Sequence, residues 1–251
     1  MHTERENKIA IITGGATGLG LAVAHKFVRE NIKTILIGRN EVKLKEACHS
    51  MGVLADCIKC DLNALNDLPE LVNMIWKKYG RIDILVNNAG IHLKKAFAEV
   101  TDEEFQRIIL TNQTSVFSLT REVVKIMQDQ KSGCVLNISS MAAKYGIPSV
   151  IAYSASKSAI EGMTRAMAVE LSPLGIRVNC IAPGFIKTQM SSDALDNDPE
   201  RKGKVISRTP MGRLGNPEEL ANAAYFLVSD EASFITGIVM PVDGGNSIGF
   251  C

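Results

Sequence analysis

Lys8-Ile-Ala-Ile-Ile-Thr13-Gly14-Gly15-Ala16-Thr17-Gly18-Leu19-Gly20 decides how the rest of the chain is read. Five apolar or β-branched residues run without interruption into a turn with glycine at 14, 15, 18 and 20, and the turn runs into an amphipathic stretch. The opening run is too short for a helix and has no polar alternation, so it reads as a strand at 8–13 buried on both faces. The stretch at about 18–30 reads as a helix. The unit then recurs. Strands are expected at 33–37, 53–60, 82–86, 134–139, 177–182 and about 237–242. Helices are expected at 41–51, about 66–79, from Thr101 onward, about 153–171, and after Asn216. Thr101 with Glu104 has the spacing of a capping box, and Asn216-Pro217-Glu218-Glu219 is a helix opening with proline at its first position.

Alternating strands and helices with doubly buried strands imply a mostly parallel sheet with helices on both faces. The expected fold class is therefore α/β: a doubly wound Rossmann sheet of about seven strands, in one domain spanning 1–251. One polar stretch, 187–212, breaks the rhythm after a strand end, where open α/β sheets bind ligands. It reads as a lid-like insertion.

A strand-to-helix turn of glycines brings backbone amides close to whatever lies above it, and free amides at a helix start favour phosphate. The spacing here is G-x-x-x-G-x-G, and its place directly after the first strand argues for a nucleotide rather than a packing turn. Enzymes that use NAD place an acid at the end of the second strand, where it accepts from ribose hydroxyls. Here that end reads Ile37-Gly38-Arg39-Asn40. A guanidinium pairs with a 2′-phosphate and an acid repels it, so NADP(H) is expected, with NAD(H) the alternative. Asp61 could accept from the adenine amino group or cap the next helix.

Tyr153 and Lys157 are four apart, neighbours on one helix face, and Ser139-Ser140 ends the strand upstream. Asn87-Asn88-Ala89-Gly90 ends the fourth strand, Asn112 lies inside the long helix, and Pro183-Gly184 follows the sixth strand. Over its whole length the chain resembles the short-chain dehydrogenase/reductase family, whose motifs occur here in order and at family spacing. That resemblance implies a catalytic tetrad of Asn112, Ser140, Tyr153 and Lys157, the spacing to tyrosine selecting Ser140 over Ser139. It implies cofactor contacts at Gly14, Ala16, Thr17, Gly18, Leu19 and Gly20 in the first turn, and at Arg39, Asp61 and Leu62 around the adenosine. Asn88, Ala89 and Gly90 line the middle, Tyr153 and Lys157 the ribose, and Pro183, Gly184, Ile186 and Thr188 the nicotinamide amide.

The residue types suit the chemistry. Unperturbed tyrosine is only about 0.1% ionised at neutral pH. A nearby ammonium and a positive nicotinamide lower that pKa, so that Tyr153 serves as acid in reduction and base in oxidation. Ser140 donates to the substrate oxygen, Lys157 holds the ribose, and Asn112 holds a water leading from Lys157 to solvent. His92 and Lys94 are the candidate substrate contacts, with Lys95 beside them. The lysines could bind a carboxylate or phosphate, or simply be solvated.

The resemblance is to two subfamilies in particular, gluconate 5-dehydrogenases and 3-oxoacyl-carrier-protein reductases. The second dock an acidic carrier on basic residues. At the comparable positions Lys131 keeps a charge and Leu174 does not, which favours a sugar acid, polyol or hydroxy acid as substrate. A non-catalytic dinucleotide sensor or scaffold is the third reading. Members of the family imply a homotetramer.

Twenty-eight basic and 27 acidic residues leave a formal charge of +1, which argues against nucleic acid or anionic membrane as partner. No apolar leader or membrane-length run is present. The six cysteines (48, 57, 60, 134, 180 and 251) are scattered. They read as free thiols in a reducing, cytoplasmic setting. Cys57 and Cys60 form C-x-x-C, but in a strand they face opposite ways. The four histidines have no metal-ligand spacing, and no metal is expected.

Overall fold

Alternate residues of the first strand part to opposite sides. Ala10 and Ile12 join one apolar cluster, and Ile9 and Ile11 join the other. The computed structural model describes residues 8–188 and 198–249. Its elements run β1 (Ile9–Thr13), α1 (Gly18–Arg29), β2 (Lys33–Gly38), α2 (Glu41–Met51), β3 (Ala55–Lys59), α3 (Leu68–Tyr79) and β4 (Ile84–Asn87). Next come α4 (Asp102–Ile109), α5 (Ser115–Gln130), β5 (Gly133–Ile138), α6 (Ile151–Leu171) and β6 (Ile176–Pro183). The last are α7 (Pro199–Ser207), α8 (Pro217–Val228) and β7 (Val239–Val242).

All seven strands are parallel, in the order β3-β2-β1-β4-β5-β6-β7. The order reverses between β1 and β4, so the loops after these two strands diverge and leave a crevice at the carboxyl edge of the sheet. Helices α1, α2 and α8 cover one face through Val23, Phe27, Leu44, Leu220 and Leu227. The other face takes α3, α5 and α6 through Leu71, Ile75, Val123, Met127 and Leu171. Phe27 is fully buried, which stabilises the fold by about 2–3 kcal/mol. The doubly wound α/β fold is thus the expected one.

Three local expectations are corrected. First, the strand at 53–60 is shorter. A 3-10 turn (Gly52–Leu54) precedes Ala55–Lys59, and β3 is an edge strand, half-buried rather than buried on both faces. Second, Cys60 lies beyond that strand, and the thiol beside Cys57 belongs to Cys48 on α2, which burial and its neighbour push up to about 12. Third, the helix from Thr101 runs on to Gln130 but is not uniformly α. Its capping box is formed, Thr101 Oγ1 accepting from Glu104 N at 3.2 Å and Glu104 Oε2 from Thr101 N at 3.0 Å, but a π turn (Leu110–Thr114) separates α4 from α5. Such turns insert one extra residue and occur often at functional sites. The polar stretch 187–212 contains α7, with Val205 and Thr209 buried. The rest of the expected lid, 189–197, lies outside the described residues, as do Cys251 and the first seven residues.

Candidate active site

Thr13 closes β1 with its hydroxyl accepting from the amides of Asn88 and Ala89, each at 3.0 Å. The Asn88 side chain returns the bond, donating to the carbonyls of Thr13 at 3.0 Å and Gly14 at 3.2 Å. The turns after β1 and β4 are therefore sewn together at the reversal point. A Cβ at Gly20 would lie 2.5 Å from Asn88 Nδ2 and closer still to the Gly14 carbonyl oxygen, which is why only glycine fits there. Gly18 has φ +55° and opens α1. Thr17 makes no side-chain bond to the start of that helix, and no acid lies in its first turn. Its leading amides are left facing the crevice, a ready anion site.

The other expected cofactor residues border the same crevice. Thr188 Cγ2 comes within 4.0 Å of the point where a Gly18 side chain would begin, so the segment after β6 arches over the first turn. That segment is held by Gly184 N donating to Val242 O at 3.0 Å and Lys187 N donating to Gly215 O at 2.8 Å. Pro183 ends β6. Ile186 and Leu62 turn their side chains into the two cores, and Ala16 and Leu19 pack partly against the first. Arg39 is exposed at the end of β2 and makes no hydrogen bond or ion pair among the described residues. Asp61 Oδ1 accepts from Asn63 N at 3.1 Å, a turn bond rather than a cap of α3, whose first residue follows Asp67. Uncapped amides facing a crevice, with a guanidinium free at its far end, fit a dinucleotide with a phosphorylated ribose.

The chemical centre sits beside this cradle. Ser139 and Ser140 diverge: Ser139 Oγ donates to Glu161 Oε1 at 2.9 Å, away from the crevice. Ser140 Oγ accepts from Ala142 N at 3.1 Å. Burial pushes the Tyr153 phenol up, partly offset by the nearby Ser140 hydroxyl. Lys157 is buried, its Nζ 5.7 Å from the Tyr153 ring centroid and donating to Ile138 O at 2.7 Å. Burial brings its ammonium down to about 8. A Cβ at Gly90 would be 3.6 Å from Lys157 Nζ and 3.3 Å from Asn112 Oδ1, so the end of Asn88–Gly90 abuts both.

Asn112, in the π turn, accepts from Ile91 N at 2.8 Å and donates to Ile91 O at 2.8 Å and Ser156 Oγ at 3.1 Å. Both donors are committed, leaving one Oδ1 lone pair for the expected water. The clamp on Ile91 sets the next residue, and the His92 ring stands 6.0 Å from that of Tyr153, edge-on at 67°. Lys94 is exposed, without a partner among the described residues. Lys95 is not free: its Nζ is 2.8 and 3.0 Å from the two oxygens of Glu104. Lys144, Tyr145, Gly146, Ile147, Ser149 and Ile151, between Ser140 and Tyr153 in the chain, wall a cleft that the sequence reading does not identify. The aromatic and proline of Tyr145-Gly146-Ile147-Pro148, between Ser140 and Tyr153, were the available signal.

At the opposite edge of the sheet, Lys131 is a left-handed cap on α5 whose carbonyl abuts Gly175. The Lys131 and Leu174 positions are thus side by side, with a single cation between them. No helix among the described residues is long and apolar enough to cross a membrane. Among the same residues, no three His, Cys, Asp or Glu side chains group for a metal.

Residues 14–247 match the protein family described as enoyl-(acyl carrier protein) reductase. The chain is 40% identical over 245 residues to the 3alpha-hydroxysteroid dehydrogenase of Mediterraneibacter gnavus, covering 95% of this chain and 96% of that protein. It is 38% identical over 244 residues to the 3-oxoacyl-acyl-carrier-protein reductase FabG of Thermotoga maritima, covering 96% and 98%. Among solved structures, a proposed NAD(P)-dependent gluconate 5-dehydrogenase from Beutenbergia cavernae, with NADP bound at low occupancy, superposes with a TM-score of 0.91. Identity there is 34%, over 96% of this chain and 97% of that one.

Proposed function

Because the chain belongs to the short-chain dehydrogenase/reductase family and is an oxidoreductase acting on CH–OH or keto groups, we propose that it interconverts a secondary alcohol and a ketone with NADP(H). The substrate is a small polar compound of the sugar-acid, polyol or hydroxy-acid kind. The observation that carries the chemistry is the buried Lys157 ammonium 5.7 Å from the Tyr153 ring centroid, with the Ser140 hydroxyl near the phenol. When bound, the nicotinamide supplies or takes the hydride. Tyr153 gives its proton to the carbonyl oxygen as reduction proceeds and takes it back in oxidation. Ser140 donates to the same oxygen, where negative charge develops. Lys157 fixes the ribose, and Asn112 serves the route by which Tyr153 is reprotonated.

The amides of 18–20 and the residues Asn88–Gly90 hold the dinucleotide, and Arg39 pairs with the 2′-phosphate. The bound NADP of the Beutenbergia cavernae protein supports this choice. His92 and Lys94 meet the substrate, His92 by its nearness to Tyr153. The protein works as a homotetramer in the cytoplasm. Light scattering at micromolar concentration reads the assembly, and a monomer rejects it.

Similarity to FabG favours a second reading, reduction of a 3-oxoacyl thioester. The single cation at the Lys131 and Leu174 positions weighs against docking an acidic carrier. A spectrophotometric panel separates the readings, with keto sugar acids, polyols, hydroxy acids, hydroxysteroids and an acetoacetyl thioester, each with both nicotinamide cofactors. Turnover of an acid with NADP(H) supports the proposal. Turnover of the thioester alone reverses the order. NADPH binding without any turnover revives the non-catalytic reading, and a tenfold preference for NADH removes the assignment of NADP.

A further inference from the structure

Ala142 and Ser154, close in the chain to Ser140 and Tyr153, line a cleft of about 450 Å³, the size of a small-molecule site. Its walls include Phe97, Ala142, Ala143, Ile147 and Ile151, and no acid lines it. Two lysines do, Lys95 and Lys144, and they are not equivalent. The Lys95 ammonium rests on both oxygens of Glu104, so its charge is cancelled where it stands. Lys144 is exposed and has no hydrogen bond or ion pair from its ammonium among the described residues. The acid that attracts it from a distance, Asp243, already accepts from the amides of Gly245 at 3.0 Å and Ser247 at 2.7 Å.

The backbone that carries Lys144 is fixed. Lys144 N donates to Met141 O at 2.9 Å. The hydroxyl of the next residue, Tyr145, is bonded to Oδ1 of Asn246. Asn246 is fully buried and donates in turn to Thr209 Oγ1 at 2.9 Å. The Arg208 guanidinium stacks 4.1 Å from the Tyr145 ring centroid, and its one acceptor among the described residues is the Asn246 carbonyl at 3.4 Å. The wall next to the apolar cleft therefore carries a lysine on a fixed backbone and a stacked arginine, with no carboxylate bonded to either among the described residues. A fixed backbone sets where the Lys144 side chain starts relative to the cleft, which limits the ordering cost of meeting an anion there.

We propose that Lys144 reads a carboxylate at the end of the substrate remote from the reacting carbon. The substrate is then amphipathic: an apolar body in the cleft, a secondary alcohol or ketone at Tyr153, and an anion at Lys144. This deepens the alcohol–ketone reading and rests on it. It narrows the substrate from polyols and sugar acids to hydroxy or oxo acids with an apolar body.

The test uses the full chain with NADP⁺ and two matched pairs: a 3-hydroxysteroid with a side-chain carboxylate against its methyl ester, and 9-hydroxydecanoate against its methyl ester. Calorimetry reads binding, and nicotinamide absorbance reads turnover. The acid of at least one pair binds the wild type about tenfold tighter than its ester, the scale of one hydrogen bond to a charged group. Lys144→Gln removes that preference and Lys144→Arg keeps it. Equal binding of acid and ester, binding of neither pair, or a preference that survives Lys144→Gln overturns the inference. A Lys144-dependent preference with no turnover defeats the alcohol–ketone reading and leaves the subsite. Equal turnover of acid and ester does the reverse.

Discussion

The Lys157 ammonium and the Ile138 carbonyl are joined by a 2.7 Å hydrogen bond, which gives a buried cation one fixed acceptor and, among the described residues, no carboxylate within bonding distance. That arrangement costs stability. Its pKa is about 8 in the folded chain against 10.5 for an ordinary lysine. Below pH 8 both states carry the proton and the whole penalty is present. Between 8 and 10.5 the unfolded chain holds more protons, so stability rises with pH, and above 10.5 the penalty is gone. The penalty is about 3 kcal/mol at roughly 1.4 kcal/mol per unit, and the lost bond to Ile138 offsets about 1 kcal/mol of any relief. Lys157→Met is therefore expected to stabilise the cofactor-free protein by about 2 kcal/mol at pH 7 and to lose that advantage by pH 10.5, while turnover collapses. Urea denaturation at the two pH values checks it. A mutant less stable at pH 7 refutes it.

Tyr153 faces the converse problem. Burial holds its phenol above the ordinary value and only the nearby Ser140 hydroxyl opposes this, so the free chain presents it protonated across the neutral range. Reduction, which needs the acid, is expected to vary little between pH 6 and 8. Oxidation, which needs the base, is expected to climb with pH over the same interval. Tyr153→Phe cuts both at least about a hundredfold and leaves NADP⁺ affinity within about threefold by fluorescence titration. Near-normal turnover in that mutant would remove Tyr153 from the chemistry.

What the sequence disclosed and what it hid divide along a physical line. The strands were legible because parallel strands buried on both faces are near-continuous apolar runs, and Ile9–Thr13 could be little else. The choice of Ser140 over Ser139 came with the family resemblance, through its spacing to the tyrosine; that the two side chains diverge did not. The π turn was not, because Asn112 reads as one polar residue in a helix until Ile91, from another loop, is known to be its partner. Nor was the neutralisation of Lys95, which depends on Glu104 nine residues away being brought back by the capping box at Thr101. The pairing of Cys48 with Cys57 was likewise hidden, since it needs α2 laid on an edge strand. Contacts between elements, rather than the elements themselves, were what a linear reading lacked.

Arg39 offers a clean separation of binding from folding. It is exposed and unpaired among the described residues, so nothing in the fold depends on it. Arg39→Ser is expected to weaken NADP⁺ at least about tenfold, as fits the loss of a charge-assisted bidentate pair. NAD⁺ binding and the thermal midpoint should hardly move. Equal weakening of both dinucleotides would place Arg39 on the adenine rather than on a 2′-phosphate.

The Asn112 clamp joins stability and catalysis in one residue. Replacing it by alanine strips partners from the Ile91 amide and carbonyl and from the Ser156 hydroxyl, which still donates to Tyr153 O at 2.8 Å. Unsatisfied groups of this kind cost about 1–3 kcal/mol each when kept from water, so a total loss of about 2–4 kcal/mol is expected. The Ile91 amide should lose protection in hydrogen exchange, because nothing else holds it. His92, freed from its 6.0 Å station beside Tyr153, should raise KM for substrate more than it lowers kcat, whereas loss of a proton route through Asn112 would lower kcat alone. Asn112→Asp keeps the acceptor for Ile91 N but sets a carboxylate against the Ile91 carbonyl, so it should be no better than alanine. An Ile91 amide that stays protected in Asn112→Ala would show that the loop after β4 is held by something other than this side chain.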